Sequence, residues 1–248
     1  MSTCNCLGAA KMASVSEKNG NSVSGGKPER GGLTGSGTGL EPKPIRVSVI
    51  DDDPMICQGM SLILNDYSHG RIEVVSTSTD GETCVRRAAE EKPDVVLMDL
   101  NLGKSSADGI GLSREIRIQT DAKVLILTAI NTPDMIMRAA RDAFASGYVF
   151  KNQLSLLVEN IRAVAKEYTA QEYLIASSAL SVLSDAEMAV FQIMMGKEND
   201  FHSSAKTLAN QKGRVIKKLG LKNQKEVLHV FRMFQERGEE HEMPIMRK

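Results

Sequence analysis

From residue 45 onward the spacing of apolar positions keeps switching between two periods. Short runs rich in β-branched residues, IRVSVI, IEVVSTS, DVVLMD, KVLILT and GYVF, alternate with stretches whose apolar positions recur every three or four residues, at 55–65, 81–91, 109–119, 133–145 and 154–168. Five strands alternating with five helices predict an α/β fold, a doubly wound five-stranded parallel sheet with helices on both faces. DVVLM and KVLIL are apolar throughout, as strands covered on both sides must be. In the last helical stretch Leu154, Leu157, Val158, Ile161, Val164 and Ala165 form one stripe that faces the sheet.

Composition sets the limits of this domain. Residues 1–44 hold nine glycines and six serines with few large apolar side chains, too little to offset chain entropy, so they are expected to be a disordered tail. Near Thr169 the helical pattern gives way to TAQEYLIASSALSVLSD, which reads as a linker over 169–182. A smaller all-α domain then follows over 183–236, with a C-terminal tail at 237–248.

The net charge is zero, so no global field draws the chain to nucleic acid or membrane, and any basic surface has to be local. No apolar run reaches the roughly 20 residues that cross a bilayer, and no signal-peptide pattern opens the chain, so a cytoplasmic location is expected. Cys4, Cys6, Cys57 and Cys84 match neither a disulfide framework nor a zinc spacing, and read as ordinary thiols in a reducing compartment.

In an open parallel sheet, ligands gather outside the carboxyl ends of the strands. The unusual polar residues all fall there: Asp51, Asp52 and Asp53 after the first strand, Asp99 after the third, Thr128 after the fourth and Lys151 after the fifth. An acid in such a place commonly caps a helix, but four strand ends carrying reactive groups together point to one site.

These residues carry a resemblance. VIDDDP, VVLMDLNL, VLILTA and GYVFK, in that order over residues 45–168, resemble the receiver domain of two-component response regulators, which has a flavodoxin-like fold. The resemblance implies that Asp99 is the phosphoryl acceptor, Thr128 the switch hydroxyl, Lys151 the phosphate-contacting lysine and Tyr148 the aromatic that turns on activation. It also implies a Mg²⁺ cofactor held by Asp52, Asp99 and the Asn101 backbone carbonyl, with Asp51 acting through water. The chemistry agrees, because neighbouring carboxylates repel and a hard divalent cation with oxygen ligands removes that cost. Asp53 is left to cap the next helix beside Pro54. A dehalogenase-type phosphatase would need a further acid pair at a strand end beyond the lysine, yet the next acids, Glu159 and Glu167, fall on a helix. A dinucleotide site would need glycines where the acids stand. The loop DLNLGKSSADGIGL is longer than is usual after the acceptor, with Lys104, Ser105 and Ser106 inserted before Asp108.

In the C-terminal domain Ser184 and Glu187 have the spacing of a capping box. Residues 203–225 then hold seven Lys or Arg and no acid, a concentrated patch on a neutral chain. Leu208, Val215 and Leu219 share a stripe, leaving Lys206, Asn210, Arg214 and Lys217 toward the other face. LSDAEMAVFQIMMGK and KTLANQKGRVIKKLGLKN resemble the first helix and the recognition helix of the LuxR-type helix-turn-helix, with the recognition helix at about 204–219. The segment KENDFHSSA is about five residues too short for the usual scaffold helix, so the motif is shortened. Asn210 is the candidate base reader, while Lys206, Lys212, Arg214 and Lys217 suit phosphates.

The expectation is a DNA-binding response regulator and not an enzyme, phosphorylated by a sensor histidine kinase, acting on double-stranded DNA and dimerising on phosphorylation, with no membrane partner. The rival keeps the receiver but gives the shortened output domain a protein-contact role.

Overall fold

The computed structural model describes residues 43–103, 108–197 and 204–235. Nearly all of the tail 1–44, all of 237–248, the inserted Lys104, Ser105 and Ser106, and most of KENDFHSSA lie outside the described residues.

Five strands, β1 (Ile45–Ile50), β2 (Ile72–Ser78), β3 (Val95–Met98), β4 (Lys123–Thr128) and β5 (Gly147–Phe150), form one parallel sheet in the order β2-β1-β3-β4-β5. Helices α1 (Pro54–Ser68), α2 (Gly81–Glu91), α3 (Gly109–Gln119), α4 (Pro133–Asp142) and α5 (Leu157–Lys166) connect or follow the strands. The period-two alternation of strands sorts their side chains between two cores. Val47, Val49, Leu97, Leu125 and Leu127 meet Leu64 of α1 and Ile161 of α5 on one face. Ile50, Val96, Met98 and Val124 meet Ala88 of α2 and Ile116 of α3 on the other. The stripe expected on the last helix is buried at Leu157, Ile161 and Val164, although its first turn, Leu154–Leu156, is a 3₁₀ helix.

Two boundaries differ from expectation. Helix α4 ends at Asp142 and not near Ala145, because Phe144 takes a left-handed backbone (φ 52°) that carries its ring off the helix into the core. The segment 169–182 holds a helix, α6 (Ala170–Leu180), capped by the Thr169 hydroxyl. Its buried positions, Glu172, Ile175, Ala176, Ala179 and Leu180, are spaced at three and four, while Leu174 and Tyr173 lie exposed.

The C-terminal helices are α7 (Asp185–Met194), α8 (Ala205–Lys218) and α9 (Gln224–Val230). Ser184 and Glu187 complete the expected capping box at the start of α7. Helices α7 and α8 both close on a left-handed glycine, Gly196 and Gly220, whose amides bond back to Ile193 and Lys217. The core beneath them is not theirs alone. Phe144 and the partly buried Ile118 from the sheet domain pack with Phe191, Val215, Val227 and Phe231, and the Phe144 and Phe231 rings meet edge to face at 5.5 Å.

One buried cluster of charges joins α6 to the sheet domain. The Glu172 carboxylate, 1% exposed, accepts two hydrogen bonds from Lys123 Nζ at 2.8 and 2.9 Å and one from Arg117 at 3.4 Å. A carboxylate in apolar surroundings is tolerated only when paired in this way.

Candidate functional site

Strand order reverses at β1, so the loops after β1 and β3 open a crevice at the carboxyl edge of the sheet. Backbone bonds pin both loops: the Asp99 amide donates to Ile50 O at 2.9 Å and the Asp51 amide to Ser78 O at 3.1 Å. This brings Asp51, Asp52 and Asp99 together, each offering a carboxylate oxygen within 4.8 Å of the others. Asp53 turns away, as its role as a helix cap requires, and its side chain accepts the Met55 amide at the start of α1.

Lys151, just past β5, reaches into this cluster. Its ammonium lies 2.6 Å from Asp51 Oδ2 and 2.8 Å from Asp99 Oδ2. Burial alone would lower the Lys151 pKa, yet the bonds to Asp51 and Asp99 hold it above its ordinary value, so the lysine stays charged. Asp51 is 2% exposed, and that burial raises its carboxyl despite the opposing Lys151. Its second oxygen accepts the Asp53 amide at 3.1 Å, so both Asp51 oxygens are engaged by the chain itself. Asp99, 5% exposed, differs: Oδ2 takes Lys151, while Oδ1 is buried with no hydrogen-bond partner among the described residues.

Two glycines make room for these acids. A Cβ on Gly103 would stand 2.7 Å from Asp52 Oδ2. A Cβ on Gly109 would collide with the Asp99 carbonyl and with Leu100 Cα, so the start of α3 can lie directly against the acceptor loop only without a side chain there.

Thr128 and Tyr148 are joined through a residue that sequence reasoning missed. The fully buried Thr128 hydroxyl accepts the Ile130 amide at 3.3 Å, and the Tyr148 hydroxyl donates to the Ile130 carbonyl at 3.1 Å. Both contacts use the backbone of Ile130, so nothing in its side chain could have signalled them. Burial, with the nearby Asp99 charge, pushes the Tyr148 phenol up to about 12 and keeps it a donor. Asn101 is exposed in the loop two residues beyond Asp99.

The other candidate residues lie on α8, where Ser204 accepts the Thr207 amide as cap. Lys206, Asn210, Arg214 and Lys217 are exposed, and at about 100° per residue Lys206, Asn210 and Lys217 fall within about 40° of one another. Lys212 is half buried and lies about 120° around the helix from Lys206, off that face. Gly213 and Ala209, at one edge of that face, carry no long side chain.

Residues 47–162 match the family of the response regulator receiver domain. Among curated proteins, the chain is 27% identical to the Oxygen regulatory protein NreC of Staphylococcus aureus strain MRSA252, in a match that takes in 74% of this chain and 95% of that protein. Among solved structures it is similar to a LuxR-family two-component response regulator from Aurantimonas sp. SI85-9A1, with a TM-score of 0.47, 29% identity and 55% of this chain against 96% of that one. A DNA-binding response regulator of the LuxR family from Staphylococcus aureus gives a TM-score of 0.44, 25% identity and 49% of this chain against 99% of that one.

Proposed function

We propose that the chain, whose residues 47–162 match the response regulator receiver domain, is a response regulator that controls transcription, its affinity for DNA set by phosphorylation of Asp99. The observation that carries this reading is the Asp99 carboxylate, with one oxygen on Lys151 and the other, Oδ1, buried and without a partner among the described residues, beside two further acids. An oxygen so placed is costly to leave bare and is positioned to act as a nucleophile.

In the transfer, an Asp99 oxygen forms a bond to phosphorus as the bond from phosphorus to the donor's leaving atom breaks, giving an acyl phosphate. A sensor histidine kinase would supply the donor. Lys151 neutralises charge on the phosphoryl oxygens while staying fixed by Asp51. The donor set, all carboxylate oxygen with an orphaned atom on Asp99, fits a hard divalent cation such as Mg²⁺. Asp52, Asp99 and the Asn101 carbonyl would hold it, with Asp51 behind them through water, and when bound it supplies further charge neutralisation. Thr128 can leave the Ile130 amide to donate its hydroxyl to the new phosphoryl group. That movement unseats the Ile130 carbonyl from Tyr148, turning a local charge into a change of surface.

On the output side α8 is the DNA-contacting element. Lys206, Arg214 and Lys217 hold phosphates, Lys212 reaches them only from the side, and Asn210 is the candidate base reader. Affinity should therefore be steeply salt-dependent and modestly sequence-dependent. The NreC match, which takes in 74% of this chain and 95% of that regulatory protein, runs past the receiver and supports this reading over a purely protein-contact output. Pairing of two phosphorylated copies on DNA completes the proposal.

The test is fluorescence-anisotropy binding of the full chain to promoter fragments, with and without beryllofluoride and Mg²⁺, at two salt concentrations. Salt-sensitive binding that the phosphoryl mimic alters is the expected result. Absence of binding in both states would overturn the DNA reading.

A further inference from the structure

The guanidinium of Arg114, on α3, sits on the ends of two other helices at once. One nitrogen donates to the carbonyl of Asp142, the last residue of α4, at 3.3 Å, and the other donates to the carbonyl of Leu219, the cap of α8. The same group lies 4.1 Å over the Phe144 ring.

Helix C-termini leave carbonyls unsatisfied and carry partial negative charge, so a cation between two of them satisfies both. Position Gly220 is shaped for it. Its φ of 63° closes α8, and a Cβ there would come within 2.7 Å of the Arg114 guanidinium. With the amides of Gly220 and Leu221 bonded back to Lys217 and Ile216, the Leu219 carbonyl is left facing the receiver.

The other end of the linkage leads to the phosphorylation site. Helix α4 starts at Pro133, three residues beyond the Ile130 peptide that Thr128 and Tyr148 hold. It is about 15 Å long and moves as a rod, so a shift at its start arrives at Asp142. Immediately beyond, Phe144 adopts a left-handed backbone, uncommon for a bulky side chain, and its ring packs on Phe231. Meanwhile Lys206, Asn210, Arg214 and Lys217 are already exposed. Among the described residues nothing covers them, so what a change of state can change is the direction of α8.

We propose that Arg114 is the positioning residue that couples the phosphorylation site to α8, by holding the carbonyl ends of α4 and α8 on one planar fork. This rests on the proposed function above. Lysine cannot replace it, since a single ammonium on a flexible stem lacks the fixed pair of diverging donors.

The test follows amide hydrogen exchange in the full chain, with and without beryllofluoride and Mg²⁺, for the wild type, Arg114→Lys and Arg114→Ala. In the wild type, the mimic should change exchange both at the loop 128–130 and at the turn 219–222, each by about fivefold or more, the low end of ordinary site-to-site coupling. Both variants should keep the first change and lose the second. Arg114→Lys retains a cation at the helix ends, so it keeps the test valid if Arg114→Ala unfolds. A purely structural arginine would raise exchange at 219–222 equally in both states and leave the mimic-dependent change intact, which would overturn the coupling role. A wild type that responds at 128–130 but not at 219–222 would overturn it as well while leaving the acceptor site standing. No response at 128–130 would remove both readings together.

Discussion

Lys151 donates to only one oxygen of Asp99, leaving the other buried and bare among the described residues. That asymmetry makes Asp99 the buried member of the acid cluster with an oxygen to spare. Asp99→Asn should reduce labelling by a radioactive small phosphodonor to background. Lys151→Met should slow labelling by about a hundredfold, the ordinary cost of deleting one charge-stabilising donor. Labelling of Asp99→Asn at the wild-type rate would move the acceptor elsewhere.

Asp52 is the acid of the cluster whose carboxylate no lysine holds among the described residues, and Gly103 leaves space beside it. A cation that binds only the folded chain raises its melting temperature, so Mg²⁺ should stabilise the wild type and its removal by chelator should reverse the gain. Asp52→Ala should weaken Mg²⁺ affinity by at least about tenfold, as losses around metal sites commonly do. Calorimetric titration measures both, and equal affinities would count against Asp52 as a ligand.

Removing Glu172 would strand two buried cations, Arg117 and Lys123. Breaking a buried pair from one side costs about 3–5 kcal/mol, so Glu172→Ala should lose that much in urea unfolding. A change below 1 kcal/mol, on the order of an exposed ion pair, would mean that the cluster is solvated.

Burial pulls the Lys123 ammonium down to about 8, with Glu172 opposing. Between that value and the ordinary 10.5 the unfolded chain holds a proton that the folded chain has released, so raising the pH favours folding. The stability difference between wild type and Lys123→Met should therefore climb from pH 8 to pH 10 in favour of the wild type. A flat or falling difference would show that the ammonium is charged throughout.

How far the sequence spoke for itself depended on whether a residue's environment matched its chemistry. The strands β3 and β4 are apolar and buried, and the acids after β1 stand where loops stand, so both were legible. Helix α6 was not, because its buried stripe mixes Glu172 with two alanines while Leu174 and Tyr173 face outward. The charge of Lys123 at the head of KVLILT, and of Glu172 amid YLIASSAL, were the available signals that a buried pair lay across the expected linker. Phe144 fitted the helical spacing of 133–145, and only its backbone angle removes it from the helix. Arg114 gave no sign at all, since both of its helix-end partners are backbone oxygens.

The shared core around Phe144 also restricts how this protein can be recombined. A gene fusion that kept everything to residue 168 and supplied a foreign output would inherit Phe144 without Phe231, and Arg117 and Lys123 without their anion. The break in sequence pattern near Thr169 is thus not a seam for exchange. The sheet domain and the C-terminal helices are packed as a matched pair, and a working chimera must carry α6 and the Phe231 side of the core along with the sheet domain, or replace both partners at each contact.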